Sequence, residues 1–549
     1  MGTAQSRRPE LADIGRLTRR LVYQAVDAAR TEDKPLRRLL LDHLGGDADG
    51  LPAVSGSWPP YEHVNLQAGL DAWLAGPGRR FELVGIAGAM RGMDYGIGWL
   101  IADPGGHGLG SGGVTATALP AGPGGVTRSC VQHGLYLVDD NGARLALLVH
   151  AREYGPYAEV ILDVAGPDAD RIATTLEEIR GLVSERSVFR GQVIAFGAEV
   201  FGFGHQVPVT FLDRPAVARS DVILPDGVLD AIERQVLGVA RYAGRLRASG
   251  QHLKRGVLLH GAPGTGKTHT VRYLLGQMDG VTAVVLSGGA LGRIREACSV
   301  ARALQPSVVV VEDVDLIGEE RMPRMGPVIG HHPLLFQLLS EMDGLDADID
   351  VTFLLTTNRP EILEPALAAR PGRVDLAAEL PLPDATARRR LVRLYQGDVA
   401  LDLAEPEQVI ERTEGVTASF LKELIRKAAL LSCEDEIGSG PAADGQAVKE
   451  TGQAAPIRVT DDHMTAALDQ LLDTKSQLTR VLLGGGQPGD ALPGEAPHGQ
   501  MPWPGPPRPA APKVSQPGTR GLRGEPADSP DAVVCGLTLS ASVVAVITS

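Results

Sequence analysis

Aromatic side chains are scarce: Phe, Trp and Tyr together make up 4% of the 549 residues. There are four cysteines, Cys130, Cys298, Cys433 and Cys535, and no two form a Cys-x-x-Cys pair. That spacing excludes zinc-ribbon, ferredoxin-like and thioredoxin-like readings. Scattered thiols suit a reducing compartment, so a cytoplasmic location is expected. The sequence contains no His-Glu-x-x-His stretch, which argues against a fused zinc protease. No Gly-x-Ser-x-Gly elbow sits between a strand and a helix. No apolar stretch follows Arg7-Arg8-Pro9, so no secretory signal is expected. Residues 532–549 carry no charge but are diluted by Ser, Thr and Gly, and membrane contact is not expected. Basic residues are outnumbered, 53 against 67 acidic, for a net charge of −14. With no aromatic-plus-basic stretch either, a nucleic-acid partner is not expected.

A 43% hydrophobic content argues against a wholly unfolded chain, while Gly (67) and Pro (39) are abundant. At roughly 150 residues per domain the length suits three or four domains. Leu11 to Leu44 has helical apolar spacing, and a mixed stretch rich in Gly and Pro follows. Strand-like runs cover Leu135–Val138, Leu145–Val149 and Glu159–Val164, with a hairpin signal at Asp139-Asp140-Asn141-Gly142. A helix is predicted over Ala169–Val188. Residues 1–210 therefore read as an α+β domain of unknown role. From Phe211 strands alternate with helices, which implies a parallel sheet covered on both faces over 211–383. Residues 384–475 read as helical only, interrupted by the breaker-rich insert Gly438–Pro456. Residues 476–549 read as a Pro/Gly-rich disordered tail.

The chemistry lies in the central part. Gly261-Ala262-Pro263-Gly264-Thr265-Gly266-Lys267-Thr268 fits G-x-x-x-x-G-K-[ST], with a strand running in and a helix, opening on His269, running out. Glycines at that spacing let backbone N–H groups turn inward around phosphate oxygens, and the helix N-terminus favours an anion. Lys267 is suited to the β- and γ-phosphates of ATP and Thr268 to Mg2+. Downstream, Val308–Val311 runs into Glu312-Asp313-Val314-Asp315. A buried parallel strand ending in acids delivers them to the edge where the phosphate loop lies. One carboxylate there can hold Mg2+ and its neighbour can polarise water; the plain alternative is a solvated strand end. Val351–Leu355 leads to Thr356-Thr357-Asn358, whose Asn358 is either a water-orienting residue or a turn residue.

These pieces resemble the AAA family, the AAA+ ring ATPases, over about residues 220–475. Further segments carry the likeness: Leu334–Leu345 before the third strand, Thr356–Pro360 as sensor 1, Leu367–Asp375 as the arginine-finger segment and Gly415–Leu424 as the start of the lid helix. The resemblance implies a P-loop NTPase sheet with an α-helical lid, Mg-dependent ATP hydrolysis and a homo-oligomeric ring, hexameric in the family. It implies that Asn358 is sensor 1 and that Arg370 and Arg373 act on the γ-phosphate of the neighbouring subunit. Guanidinium suits that task through its forked donors and permanent charge, although arginines in such a place are otherwise plain surface residues.

Two departures stand out. The family's usual Asp-Glu order is swapped to Glu312-Asp313, as in some mitochondrial inner-membrane AAA translocases. This puts Glu312 on the magnesium side and Asp313 on the water side, with a reach shorter by one methylene. The loop from Leu286 to Ile294 also lacks the aromatic tip of polypeptide-threading members, which leaves Gly326–His332 as the segment available to line a pore. The leading expectation is a chaperone-like remodeller of an unidentified protein client; the alternative is a nucleotide-dependent switch or scaffold with slow turnover.

Overall fold

A computed structural model describes residues 35–45, 51–87, 96–102, 110–152, 158–197, 209–316, 333–344, 346, 348–361, 373–438 and 456–472. Most of the expected helix 11–44, Arg370, the segment 326–332, most of the insert 438–456 and the tail from 476 lie outside those residues.

The first layer of the fold follows from two-residue alternation. Strands β5 (Thr127–Asp140) and β6 (Ala143–Arg152) pair antiparallel around Asn141-Gly142. Both turn residues have positive φ, 54° and 92°, as a two-residue hairpin turn of this hand requires. Along β5, Tyr136 and Val138 enter one core while Leu135 and Leu137 enter another. Both faces are therefore covered, which explains a nearly unbroken apolar run. Four more strands complete the path β1-β7-β6-β5-β2-β3: β1 (Ala53–Trp58), β2 (Arg79–Ala87), β3 (Gly110–Gly112) and β7 (Glu159–Ala165). A further strand, β4 (Thr115–Pro120), also pairs with β5.

On one face Leu36 and Leu40 of α1 (Pro35–Leu44) join Ile97 and Leu100 of α3 (Ile97–Ala102). On the other lie α2 (His63–Leu74) and α4 (Ala169–Glu185). The side chain of Asp168 caps α4, accepting from the backbone N–H groups of Asp170 and Arg171. Helix α2 falls in the stretch that reads only as Gly- and Pro-rich. Its buried face is partly polar: His63 bonds the Val131 carbonyl at 2.8 Å, Gln67 accepts from Val131 N–H at 2.9 Å, and Asn65 accepts from Val188 N–H at 2.8 Å. Paired amides satisfy burial but erase the apolar period that would announce a helix.

The second sheet has the order β14-β10-β13-β12-β11-β8-β9. Its strands are β8 (Val193–Phe196), β9 (Val209–Leu212), β10 (Arg255–His260), β11 (Thr282–Leu286), β12 (Ser307–Val311), β13 (Val351–Thr357) and β14 (Leu376–Glu379). All neighbours are parallel except β8 and β9. Val309 and Val311 pack on one face of β12, Val308 and Val310 on the other.

The boundary expected at residue 210 falls inside β9, and β8 pairs with β11 through Ala283 and Val193. A four-residue strand carries too few alternations to mark its sheet. The lid packs α10 (Ala385–Gln396), α12 (Ala418–Gly438) and α13 (Asp461–Leu472) around Phe420, Leu424 and Leu468. It is not helical throughout: β15 (Ala400–Asp402) and β16 (Arg458–Thr460) form a parallel pair too short to show a period. No helix among the described residues is long and apolar enough to cross a membrane.

Glycine marks the closest helix contact. A Cβ on Gly69 of α2 would stand 2.7 Å from the backbone nitrogen of Val183 in α4, whereas one on Gly181 meets nothing within 4 Å. Gly69→Ala should therefore lower stability by about 1–3 kcal/mol through overpacking. Gly181→Ala, exposed in mid-helix, should raise it by up to about 1 kcal/mol. Thermal or urea unfolding of the two variants reads the opposite signs directly.

Candidate nucleotide site

Strand β10 ends at His260, and the chain turns at once through Gly261–Gly266 before α7 (Lys267–Gly276) begins. The turn needs glycine. Gly261 has φ 147° and a Cβ there would lie 2.3 Å from the Leu380 carbonyl oxygen. Gly264 has φ 80°, and its Cβ would crowd the hydroxyls of Ser419 and Thr417 at 3.0 Å. Its carbonyl accepts from Ser419 N–H at 3.2 Å, tying the loop to the first turn of α12 in the lid. Thr265 is buried and its hydroxyl donates to the Ala262 carbonyl at 3.0 Å. The Gly266 carbonyl receives Thr270 N–H at 2.8 Å and so starts the helix. Pro263, Thr268 and His269 are exposed around the mouth of the loop.

Lys267 is buried, and its ammonium donates to the carbonyls of Gly261 and Ala262, both at 2.9 Å. Burial lowers its pKa below the ordinary lysine value, opposed by the negative charges of Asp313 and Asp315. The carboxylates expected at the end of β12 thus converge on the lysine of the loop. The Thr268 hydroxyl lies near the Glu312 carboxyl and favours its charged form. That carboxyl is held above the usual range by burial and by the charge of Asp313, with the Thr268 hydroxyl and the charge of Arg272 working the other way. Hard oxygen donors side by side, a hydroxyl and a carboxylate, are what Mg2+ takes, so the donor set fits that ion. Asp313 accepts from Asn358 Nδ2 at 3.2 Å. The acids at the end of β12 and the asparagine at the tip of β13 therefore meet.

Two residues missed from sequence hold expected site residues in place, one at this edge and one away from it. Buried Asp315 accepts from the Thr357 hydroxyl at 2.9 Å and from Asn358 N–H at 3.2 Å, fixing the loop that carries Asn358. Its spacing two residues beyond Asp313 was the available signal. Asp343, in α9 (Pro333–Asp343), is the second. It takes Arg373 in a bidentate pair, Nε to Oδ1 at 3.0 Å and Nη2 to Oδ2 at 2.6 Å. Arg373, which the resemblance assigns to a neighbouring subunit's γ-phosphate, is 9% exposed in this chain. Its carbonyl oxygen would lie 2.0 Å from a Cβ on Gly256, at the end of β10 remote from the phosphate loop. It stands at the opposite end of β10 from the phosphate loop of its own chain. The other finger candidate, Arg370, lies outside the described residues.

The segment between β11 and α8 (Ile294–Ala303) is a tight 3-10 turn, Gly288–Arg293, with Ala290 and Leu291 buried in the sheet's core. Its exposed positions are Gly288, Gly289 and Gly292, and Arg293 is half-buried. Among the described residues no group of three or more His, Cys, Asp or Glu forms a metal cluster.

Residues 257–382 match the model of the ATPase family associated with various cellular activities (AAA). Over 343 residues the chain is 33% identical to the ATP-dependent zinc metalloprotease FtsH 2 of Symbiobacterium thermophilum, covering 51% of this chain and 56% of that one. It is 30% identical over 308 residues to the FtsH of Rhodococcus erythropolis, covering 51% and 36% of the two chains. It is 33% identical over 262 residues to that of Mycobacterium tuberculosis strain H37Rv, covering 44% and 34%. The chain thus spans from about a third to just over half of these relatives.

A raised glutamate pKa has a definite sign. Between the unfolded value and the raised folded one, the folded state holds more protons, so stability falls as pH rises through that window and the penalty is complete above it. Glu312→Gln keeps an acceptor near Thr268 and removes the half-buried charge. It should raise the melting midpoint of the nucleotide-free protein at neutral pH by about 1–3 °C. Variant and parent should converge as the pH approaches the ordinary glutamate range, which calorimetry across pH will test.

Proposed function

Residues 257–382 are an AAA-family ATPase domain, and from that premise we propose that the chain binds and hydrolyses ATP with Mg2+ and uses the energy to remodel a protein client. One observation carries the proposal. The phosphate loop with Lys267, the Thr268–Glu312 pair and the Asp313–Asn358 pair all stand at one edge of the second sheet.

Each group has a task in phosphoryl transfer to water. Lys267 and the loop's backbone N–H groups hold the phosphates and offset their charge. Thr268 and Glu312 would hold Mg2+, which supplies charge neutralisation when bound. Asp313, oriented by Asn358, takes a proton from the attacking water; its carboxylate has the short reach of aspartate, which favours slow turnover. The lid bond from Ser419 to Gly264 offers a route by which phosphate at the loop is felt in α12. A homo-oligomeric ring, hexameric in keeping with the family, would let an arginine of one subunit act on its neighbour's phosphate. The similar FtsH proteins are named as zinc metalloproteases, but this sequence carries no His-Glu-x-x-His. Remodelling, rather than cleavage by these residues, is therefore the proposed outcome for the client.

A second reading, a nucleotide-dependent switch or scaffold, draws on the Arg373–Asp343 pair and the buried turn after β11. ATP would then change the assembly state without sustained turnover.

Phosphate release and nucleotide binding separate the readings. Purified protein should release phosphate from ATP only with Mg2+. Lys267→Ala should abolish binding, and Asp313→Asn should keep binding while losing about 100-fold or more in turnover. Sedimentation that shifts with ATP while no phosphate appears would favour the switch and sink the hydrolase.

A further inference from the structure

Two non-glycine residues among those described have a left-handed backbone, Asn141 and Asp313. Asn141 is accounted for by the β5–β6 hairpin. Asp313, at φ 51°, sits in no hairpin but at the tip of β12, beside the phosphate loop. Aspartate tolerates such a conformation better than most residues, but still at a cost that its surroundings offset.

The backbone bonds on either side show what imposes it. Glu312 N–H donates to the Leu286 carbonyl at 3.0 Å, on the β11 side. Asp313 N–H turns the other way and donates to the Thr356 hydroxyl oxygen at 3.0 Å, on the β13 side. Val314 N–H follows to the Thr356 carbonyl at 2.9 Å. Thr356 is 1% exposed, so its hydroxyl is a fixed acceptor. In a strand that simply continued, neighbouring side chains would point to opposite faces. The left-handed residue breaks that alternation. Glu312 then meets Thr268, and Asp313 meets Asn358, at the same edge.

We propose that Thr356 is a positioning residue for hydrolysis: its hydroxyl holds Asp313 in the left-handed backbone that aims the carboxylate at the water site beside Asn358. The proposal rests on the hydrolase reading above. It gives the short aspartate a placement set by the backbone, where side-chain length falls short. The hydroxyl acts through Asp313 and touches no substrate.

The test uses the full chain and ATP with Mg2+, measuring nucleotide Kd, kcat and melting midpoint. Thr356→Val keeps the shape and deletes the acceptor; kcat should fall about 10-fold or more while Kd for ATP stays within about twofold. Thr356→Ser restores the acceptor and should recover kcat to within about threefold of the parent. In the Asp313→Asn background, Thr356→Val should add no further loss, because the two act as one unit. Thr356→Ala deletes the acceptor with no added bulk and replaces the valine variant if that one does not fold. Three results overturn the proposal alone: unchanged kcat in Thr356→Val, a serine variant as slow as the valine one, or multiplicative losses in the double variant. Absence of turnover in the unsubstituted chain would overturn the hydrolase reading and this proposal with it.

Discussion

A buried ammonium facing half-buried Asp313 and buried Asp315 is the constraint on which the candidate site depends. Lys267 is drawn out of water at the first residue of a helix, and the negative charges of Asp313 and Asp315 oppose the resulting fall in its pKa. A cation in that position is stable only while the acids stay close. The acids stay close because β12 is buried along its whole length and parallel to β13. The apolar strands hold the charged edge in place, and that edge is where a polyanion would be received.

The two halves of the chain are joined by packing as well as sequence. Tyr61, Val64 and Cys130 of the first sheet's layer share a core with Phe189, Phe196, Leu291 and Ile294 beside the second sheet. The Tyr61 ring meets Phe196 edge-on at 5.3 Å. Half-buried Glu62, raised in pKa by desolvation and bonded by Asn65, sits at the same joint. The turn after β11 is pinned in this shared core, which is the physical reason it does not project. A movement of α8 would therefore be felt by the first layer. This gives the proposed remodelling a mechanical path that does not run through a gripping loop.

Much of the site is legible in the amino-acid sequence. The phosphate loop is a contiguous motif whose strand and helix neighbours are also contiguous, so its geometry is local. The valine run ending in Glu312-Asp313 is legible because a fully buried strand has a composition of its own. The roles of Asp315, Thr356 and Asp343 are not, because each acts across strands or helices on partners distant in sequence. Helix α2 and the pairing of β8 are hidden for a related reason: buried amides disguise one, and four residues are too few to reveal the other.

By itself the sequence determined the alternation of strands and helices, the loop that turns on its glycines and the acids that follow a buried strand. Local chain chemistry is enough for these. Only the tertiary structure decided that Asp313 takes a left-handed backbone against Thr356, that Arg373 is tied to Asp343, and that the first layer shares a core with the second sheet. Those outcomes turn on which distant residues become neighbours, and strand order and packing choose the neighbours after the local preferences have been satisfied.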